Sequence, residues 1–289
     1  MSVKDVDRIL PIDVLAWGAE YLRDLPWRRT RNPWFVMVAE VMLQQTQIDR
    51  VLKKWPEFLE EFPTVESCAS SSLSEVVKQW AGMGFNRRAV MLHEAAKRID
   101  EEYNGKIPST VDELISLPGI GPYTARAILA FAFEQDEAVV DTNVGRVLAR
   151  WTGQRLKPME AQELANRSVP LGEGWAWNQA VLDLGSMICK SKNPACEKCP
   201  IHTSCSWKGV GADPVKGSAG VSGTQSKFDG SDRQGRGKLV AALRTKSVSK
   251  KELAEVMGWP TDPERAERVA STVVSDGLAI YERDTFSLP

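Results

Sequence analysis

The sequence predicts an all-α fold, and three observations lead to this prediction. Apolar residues recur at intervals of three and four along most of the first two-thirds of the chain, which is the spacing of helices with one buried face. Short joints that contain Pro, Gly or Asn separate these segments. No convincing run shows the apolar–polar alternation of a half-buried strand. Such a chain builds its core from helices packed on helices.

Several segments of the chain carry this helical spacing. They run, in chain order, over residues 6–25, 34–55, 71–83, 87–103, 110–117, 123–133 and 143–151. Thr110 and Glu113 form a Ser/Thr-x-x-Glu capping box, which predicts the start of the helix over 110–117. These segments place continuous helical protein up to about residue 206.

The texture of the chain changes after this helical part. Residues 208–238 are rich in Gly, Ser and Asp and have few large apolar side chains, which predicts a flexible linker. Residues 239–289 show helical stretches followed by two short strand-like pieces, split at Arg283-Asp284. This order predicts a small winged-helix-like module. It could bind DNA or protein, or it could be a stabilising appendage.

Composition and charge set broad limits on the function. The chain is 43% hydrophobic and 26% charged, as in ordinary soluble proteins, and no apolar run approaches the roughly 18 residues of a membrane helix. Acidic residues interrupt the apolar positions at the N-terminus, so we expect no signal peptide and a cytoplasmic protein, nucleoid-associated if prokaryotic. The net charge of −1 neither supports nor excludes a nucleic-acid partner, because DNA binding needs only a local basic face.

Four of the five cysteines form a cluster with the spacing C-x6-C-x2-C-x5-C: Cys189, Cys196, Cys199 and Cys205. In a reducing compartment, clustered cysteines bind metal more often than each other, although a disulfide is an alternative. The spacing leaves zinc and an iron–sulfur cluster open. The fifth, Cys68, is predicted to be a small buried residue.

The stretch LPGIGPYTARA, residues 117–127, resembles a dinucleotide-binding glycine motif, but it follows a predicted helix where that motif follows a strand. A helix–hairpin–helix fits better. Gly119 and Gly121 would adopt backbone angles closed to other residues, and backbone N–H groups at the next helix could contact a DNA phosphate. The predicted contact residues are Gly119, Gly121 and Thr124. An ordinary tight turn is the alternative.

Two carboxylates stand out as candidate catalytic groups. Glu40 lies in WFVMVAEVMLQQTQ, where most neighbours on the predicted helix are apolar, and partial desolvation favours its protonated form. The alternative is an ion pair with Arg28, Arg87 or Arg126. Asp141 stands just before a helix and could serve only as an N-cap. Together the two groups match a glycosidic cleavage, which needs an acid for the leaving group and an anion beside the sugar.

A series of motifs carries a family resemblance over roughly residues 8–207. In chain order they are LPWR, EVMLQQTQ, GMGFNRRA, LPGIGPYTA, VVDTNVGRVLAR, WNQAVLDLGSMIC and the cysteine cluster. The series resembles the adenine DNA glycosylases of the MutY type, in the helix–hairpin–helix glycosylase superfamily. The resemblance implies two lobes: a six-helix barrel domain with the hairpin over 25–133, and an iron–sulfur domain formed by 1–24 and 134–207. It also implies that the four clustered cysteines hold a [4Fe–4S] cluster.

The resemblance further implies a role for each site residue. Glu40 would protonate the adenine, and Asp141 would stabilise the oxocarbenium-like sugar, directly or through a transient covalent bond. The other implied residues divide by role: Tyr123 and Asn143 hold that centre, Trp27, Arg28, Leu43 and Gln179 line the pocket for the flipped adenine, and Gln45, Thr46 and Phe85 fill the hole or touch the opposite base.

The expected activity is that of a monofunctional glycosylase acting on adenine mispaired with guanine or 8-oxoguanine in double-stranded DNA, by a monomer. Tyr123 stands where the endonuclease III branch has a Schiff-base lysine, so robust AP-lyase activity is not expected. About fifty residues that resemble a winged helix follow the linker, where many relatives carry a Nudix-like domain, and Phe85-Asn86 stands in place of two tyrosines. These departures predict weak discrimination between the two opposite bases. The rivals are a thymine or uracil mismatch glycosylase and a non-catalytic iron–sulfur DNA-binding redox sensor.

Overall fold

The structure is a computed structural model that describes residues 11–218 and 227–289. The start of the predicted first helix and the centre of the predicted linker lie outside these described residues. Over the described ranges, none of the helices combines the length and the apolar character needed to span a membrane.

Helices dominate both described ranges, which confirms the all-α prediction. In chain order they are α1 (Pro11–Tyr21), α2 (Pro33–Leu43), α3 (Ile48–Glu61), α4 (Val65–Ser70), α5 (Leu73–Gln79), α6 (Arg87–Tyr103), α7 (Val111–Ser116), α8 (Pro122–Ala132), α9 (Thr142–Thr152), α10 (Pro158–Ser168), α11 (Gly174–Asp183), α12 (Asp232–Leu243), α13 (Leu253–Met257) and α14 (Pro263–Ser275). A short 3-10 helix, Pro26–Arg28, precedes α2, and a π-helical turn, Leu184–Ile188, follows α11.

The chain divides into two compact units. The first unit consists of the described residues of Met1–Val36 and Gly121–Thr224, together with Ser109–Val111. The second unit consists of Met37–Pro108, Asp112–Ile120 and the described residues of Gln225–Pro289.

The core of the first unit forms where α1, α9, α10 and α11 pack together. Val14, Leu148 and Trp177 belong to one continuous cluster of buried side chains. Helix α1 approaches α11 closely at Gly18, where an added Cβ atom would stand 2.7 Å from the Cβ atom of Ala180. A larger residue at that position would push the two helices apart.

The core of the second unit is built from helices with one apolar face. In α3 the buried residues include Val51, Trp55 and Phe58, which repeat at helical spacing. The Phe58 ring meets Trp80 edge-on at 5.9 Å between ring centroids, in one of the favoured aromatic arrangements. Two short helices of this unit begin with capping boxes, one of them formed by Ser72 and Glu75.

The C-terminal module contains α12, α13, α14 and a three-stranded antiparallel sheet. Its strands are β1 (Val248–Ser249), β2 (Ile280–Glu282) and β3 (Thr285–Ser287), in the spatial order β1-β3-β2. Arg283 and Asp284 turn the chain between β2 and β3 with positive φ angles, as a tight hairpin requires. The helices-then-hairpin order matches the winged-helix prediction, and β1 is an additional strand.

Other differences from the sequence predictions have local causes. The predicted helix over 34–55 is divided into α2 and α3, because the chain turns at Gln45 with φ 55°. Helix α12 begins at Asp232, inside the segment predicted as linker, with the Ser231 hydroxyl accepting the Gln234 N–H. Helices α4, α10 and α11 lie outside the segments predicted as helical.

Candidate active site

Glu40 lies in the second half of α2 and is buried, with only 5% of the residue exposed. Met37 and Met42, on the same helix, are fully buried. The arginines named as alternative partners pair with other carboxylates: Arg28 with Asp183, Arg87 with Asp276 and Arg126 with Glu137. The burial of Glu40 agrees with the predicted desolvation, and its catalytic role stays a prediction.

Asp141 is the N-cap of α9, as predicted. Its Oδ1 atom accepts the backbone N–H groups of Asn143 and Val144 at 2.8 and 2.7 Å, and its Oδ2 atom accepts the Asn143 side-chain amide at 2.6 Å. Although part of the residue is exposed, removal of the carboxyl group from water raises the pKa of Asp141 above its ordinary value. The three hydrogen bonds and the charge of Arg146 oppose that rise.

A hydrogen-bonded chain leads from Asp141 toward the first clustered cysteine. Asn143 donates its amide to Asp141, and its Oδ1 atom accepts from Arg146 Nη2 at 2.8 Å. The Arg146 guanidinium also donates to the carbonyl oxygens of Cys189 and Gly185, both at 2.6 Å. Arg146 is buried, so the conformation of the Cys189 backbone and the orientation of Asn143 depend on one side chain.

Only one of the two hairpin glycines has the backbone conformation that was predicted for both. Gly119 has φ 76°, and a Cβ atom there would lie 2.9 Å from the Met91 side chain, so only glycine fits. Gly121 has φ −93° and ψ 176°, an extended conformation open to any residue, and the prediction was wrong for this position. Gly121 is the N-cap of α8, and no atom would meet an added Cβ within 4 Å.

The first turn of α8 carries two further predicted residues. Tyr123 is half-buried and packs against the apolar cluster that contains Ala127 and Phe131. The Thr124 side chain is buried, so its predicted DNA contact would have to come from the backbone N–H group. Such N–H groups at a helix N-terminus point along the axis and favour an anion.

The four clustered cysteines line one cavity of about 300 Å³, part of it open to solvent. All five cysteines of the chain lie in the described residues, and none forms a disulfide. Across the described ranges, no three His, Cys, Asp or Glu side chains converge as ligands of a single metal ion. Cys68 is fully buried, as predicted, and burial raises the pKa of its thiol to about 12.

Polar groups of the protein face two of these sulfur atoms. Arg150 Nη1 lies 3.5 Å from Cys189 Sγ, and the Lys208 N–H donates to Cys205 Sγ at 3.5 Å. The Arg150 guanidinium also covers the Trp207 ring at 4.5 Å and pairs with Asp213. Donors of this kind stabilise thiolate ligands in metal centres.

The sequence of the chain is similar to a known protein family and to named proteins. Residues 38–171 match the family described as HhH-GPD superfamily base excision DNA repair protein. A protein of Mycolicibacterium smegmatis named adenine DNA glycosylase is 37% identical over 283 residues, which cover 96% of this chain and 94% of the relative. The chain belongs to the adenine DNA glycosylases of the HhH-GPD superfamily.

Two further comparisons match a smaller share of this glycosylase. The human protein named adenine DNA glycosylase is 39% identical over 207 residues, covering 66% of this chain and 38% of the human protein. A solved structure titled as a thermostable thymine-DNA glycosylase matches with a TM-score of 0.68 and 30% identity, over 72% of this chain and 99% of that one. Both matches leave about a third of the chain uncovered, whereas the mycobacterial match extends over nearly all of it.

One arginine of the glycosylase donates hydrogen bonds to two turns. These turns carry the residues that were predicted to contact the DNA strand opposite the adenine. Arg88 of α6 is buried and its guanidinium donates to the carbonyl oxygens of Val41, Met42 and Gln44 at 2.7–2.9 Å. It also donates to the Thr46 hydroxyl at 2.9 Å. On the other side it donates to carbonyl oxygens between residues 83 and 85 at 3.2–3.4 Å. Burial among these groups lowers the pKa of Arg88 to about 10.

The predicted site residues fall into both units. Those in the second unit are Glu40, Leu43, Gln45, Thr46, Phe85 and Gly119, and those in the first are Trp27, Arg28, Gly121, Tyr123, Thr124, Asp141, Asn143, Gln179 and the four clustered cysteines. Gln45 and Phe85 are exposed and have positive φ angles of 55° and 44°. Such strained residues concentrate at functional sites.

The predicted pocket residues of the first unit are buried. Trp27 and Gln179 are 7% and 4% exposed. Arg28 donates to both carboxylate oxygens of Asp183, at 2.7 and 2.9 Å, and Arg23 binds the same carboxylate. This burial fixes the Arg28 guanidinium, and the three-group cluster lowers the pKa of Asp183 through its hydrogen bonds despite the opposing effect of desolvation.

Three arginines with structural importance were not predicted: Arg88, Arg146 and Arg150. Each stands inside or directly beside a motif that was recognised, yet was not singled out. The available signal was a charged residue on an otherwise apolar helical face. Such a residue must find buried partners, because an unpaired buried charge is strongly destabilising.

Proposed function

We propose that this protein is a monofunctional DNA glycosylase that excises adenine mispaired with guanine or 8-oxoguanine in double-stranded DNA. The burial of Glu40 in an apolar helix is the observation that carries the proposal, because hydrolysis of the glycosidic bond needs an acid that remains protonated. Near full-length similarity to a protein named adenine DNA glycosylase supports adenine as the base.

The proposed reaction begins with adenine turned out of the duplex, since the glycosidic bond is inaccessible within the stack. The residues that we propose to contact the base are Trp27, Arg28, Leu43 and Gln179. Glu40 donates its proton to a ring nitrogen of the adenine. The bond between that base and the sugar then breaks, and its electron pair stays with the base, which leaves as neutral adenine.

Asp141 then stabilises the positive charge that develops on the sugar. The carboxylate is held by Asn143 and the N-terminus of α9, so it needs no reorientation as the charge forms. Water adds its hydroxide to the anomeric carbon, and its proton restores Glu40. Tyr123 supplies no amine for a Schiff base, so the product is an intact strand with an abasic site and robust AP-lyase activity is absent.

DNA contact in this proposal uses backbone groups and exposed lysines. The N–H groups at the hairpin and the start of α8 meet a phosphate, which positions the enzyme without reading sequence. Lys190, Lys192 and Lys198 are exposed on the cysteine loop and suit the same backbone. Gln45, Thr46 and Phe85 contact the opposite strand. We propose that a monomer carries out the reaction.

The cysteine loop fits a [4Fe–4S] cluster held by Cys189, Cys196, Cys199 and Cys205. The four thiols line one cavity, so they can all serve as ligands of one bound group. When bound, the cluster would tie the loop together and supply no step of the hydrolysis. A brown protein with iron and acid-labile sulfide supports this assignment, whereas a colourless zinc protein contradicts it.

The decisive experiment measures single-turnover base excision from a panel of duplexes. Adenine is placed opposite 8-oxoguanine, guanine or thymine, and thymine or uracil is placed opposite guanine. We expect excision of adenine opposite 8-oxoguanine and guanine, without strand cleavage before alkali treatment. Borohydride trapping of a covalent protein–DNA adduct would contradict the monofunctional assignment.

A thymine mismatch glycosylase is the second candidate, and the structural likeness to the thermostable thymine-DNA glycosylase favours it. Excision of thymine opposite guanine with no adenine excision would establish that alternative. Absence of excision from every duplex, with retained DNA binding, would instead support a non-catalytic iron–sulfur sensor.

A further inference from the structure

Asn86 occupies the N-cap position of α6 but does not cap the helix. Its backbone has φ −57° and ψ −23°, and its side chain makes no capping hydrogen bond. Asparagine at this position ordinarily accepts an N–H group of the first helical turn. In this chain the Asn86 Oδ1 atom accepts a hydrogen bond from the C-terminal module instead.

The donor is Arg244, at the C-terminal end of α12. Its Nη2 atom lies 3.1 Å from Asn86 Oδ1, and its Nε atom lies 3.0 Å from the carbonyl oxygen of Val77. Arg244 is half-buried, and this burial lowers the pKa of its guanidinium. One side chain of the module therefore spans two acceptors, one in α5 and one directly after Phe85.

A second set of contacts joins the module to the start of α6. Arg87 Nη1 lies 3.3 Å from Asp276 Oδ1, just beyond α14. Gly277 packs against Val90, since an added Cβ atom would stand 3.4 Å from Val90 Cγ1. The module thus contacts α6 at consecutive turns, and Arg244 extends this contact to the loop that precedes the helix.

That loop, residues 82–86, has positive φ angles at three positions, and one of them is a residue other than glycine. Gly82 and Gly84 have φ 84° and 70°, and Phe85 has φ 44°, which is unusual for an aromatic residue. Such a conformation persists only where the surroundings hold it. Arg88 fixes carbonyl groups of the loop from α6, and Arg244 fixes the side chain of Asn86 from the module.

We infer that Arg244 and Asn86 are positioning residues through which the C-terminal module sets the conformation of loop 82–86, and thereby the discrimination between guanine and 8-oxoguanine opposite adenine. The inference rests on the proposed function, in which Phe85 contacts the opposite strand. The two departures from the family's pattern, Asn86 and the winged-helix-like module, meet in this one contact. The similarity to the mycobacterial relative covers both of them.

The test is a double-mutant cycle read as a discrimination ratio. Single-turnover rate constants are measured for adenine opposite 8-oxoguanine and opposite guanine, in the full chain and in Arg244→Ala, Asn86→Ala and the double variant. We expect each single variant to change the ratio of the two rate constants by about three- to tenfold, the loss of one or two hydrogen bonds. The double variant should match Arg244→Ala, because that substitution already removes the contact with Asn86.

The matched control is Arg268→Ala. Arg268 is an exposed arginine of the same module, and its ion-pair partner Asp232 also belongs to the module. Its removal should leave the ratio within about twofold of wild type. Arg244→Lys keeps the charge but not the two-acceptor geometry, so it should restore only part of the ratio.

Two results would overturn the inference. If Arg244→Ala lowers both rate constants equally and lowers the melting temperature, the contact is only structural. If Asn86→Ala, which leaves the module intact, keeps the wild-type ratio, the loop does not depend on Arg244. A wild type that excises adenine from neither duplex would instead refute the proposed function, and this inference with it.

Discussion

The two units hold their predicted catalytic carboxyl groups in different ways. In the first unit, Asp141 sits at a helix N-terminus and accepts three hydrogen bonds. In the second, Glu40 lies in the second half of a mainly apolar helix, between fully buried methionines. Desolvation raises the pKa of Asp141, and the three hydrogen bonds and Arg146 oppose that rise. Glu40 is characterised instead by its burial on a mainly apolar helix.

Each unit also contains a buried arginine near its predicted carboxyl group, and the two arginines bind different kinds of acceptors. Arg146 of the first unit links a side-chain amide to carbonyl groups of the cysteine loop. Arg88 of the second unit binds mostly backbone carbonyl oxygens of two turns. Arg146 therefore orients the side chain of Asn143, a predicted site residue, whereas Arg88 holds the backbone of two turns.

Among substitutions in the first unit, Asp141→Asn should cause the largest loss of excision rate. The amide is nearly isosteric but removes the negative charge, so single-turnover excision should fall by roughly 10²- to 10³-fold, as for loss of a charge-stabilising group. Circular dichroism and iron content should remain those of wild type. Asp24→Asn, at an exposed aspartate of the same unit, is the control and should keep full activity. Retained activity in Asp141→Asn would mean that Asp141 is only a helix cap.

A smaller loss of activity is expected from Arg146→Leu. This substitution removes the side chain that joins Asn143 to the backbone at Gly185 and Cys189. The carbonyl groups of Cys189 and Gly185 lose a buried donor, and Asn143 is released. We expect about ten- to hundredfold slower excision together with about 2–4 kcal/mol lower unfolding free energy. Arg167→Leu, at an exposed arginine of the same unit, should change neither quantity appreciably. Unchanged excision in Arg146→Leu would show that Asn143 holds its orientation without this partner.

In the second unit, Arg88→Leu should affect stability first. The buried carbonyl groups of the Val41–Gln44 turn would lose their shared donor, which should lower the unfolding free energy by about 3 kcal/mol. Arg88→Lys has only three donors and should recover part of that loss. Chemical denaturation of the three proteins measures these differences. Equal stability of all three would show that the turns are held by packing alone.

Helix caps and glycine turns were predictable from the sequence because they follow from local rules. Asp141 and Gly119 each have the conformation that their positions predicted. Gly121 was not correctly predicted, because a glycine pair does not reveal which member needs a positive φ. The turn at Gln45 was also missed, since the apolar spacing continues across it.

The arginine contacts could not be predicted for a different reason. Their acceptors are mostly backbone carbonyl groups tens of residues away, and a carbonyl group has no signature in the sequence. The linker prediction shows the same limit. Its composition has few apolar residues, but Asp213 and Ser218 are bound by Arg150 and the Leu156 N–H group. Polar anchoring of this kind depends on partners that only the fold brings near.

The smallest predicted effect concerns pH and again involves Asp141. A carboxyl group whose pKa is raised on folding, here from 3.8, stabilises the fold below that ordinary value and loses this contribution as pH rises through the folded-state pKa. The unfolding free energy of wild type minus that of Asp141→Asn should therefore decrease as the pH rises above about 4. Urea denaturation at several pH values measures it. A difference that grows with pH would indicate a lowered pKa instead.

The most direct test of the account is Glu40→Gln, assayed for single-turnover adenine excision and for binding to the same duplex. Glu60→Gln, at an exposed glutamate of the same unit, is the matched control. The account predicts that Glu40→Gln binds the mismatched duplex as wild type does but excises adenine about 10²- to 10⁴-fold more slowly, the usual contribution of a general acid. Excision at the wild-type rate by Glu40→Gln would contradict the central claim.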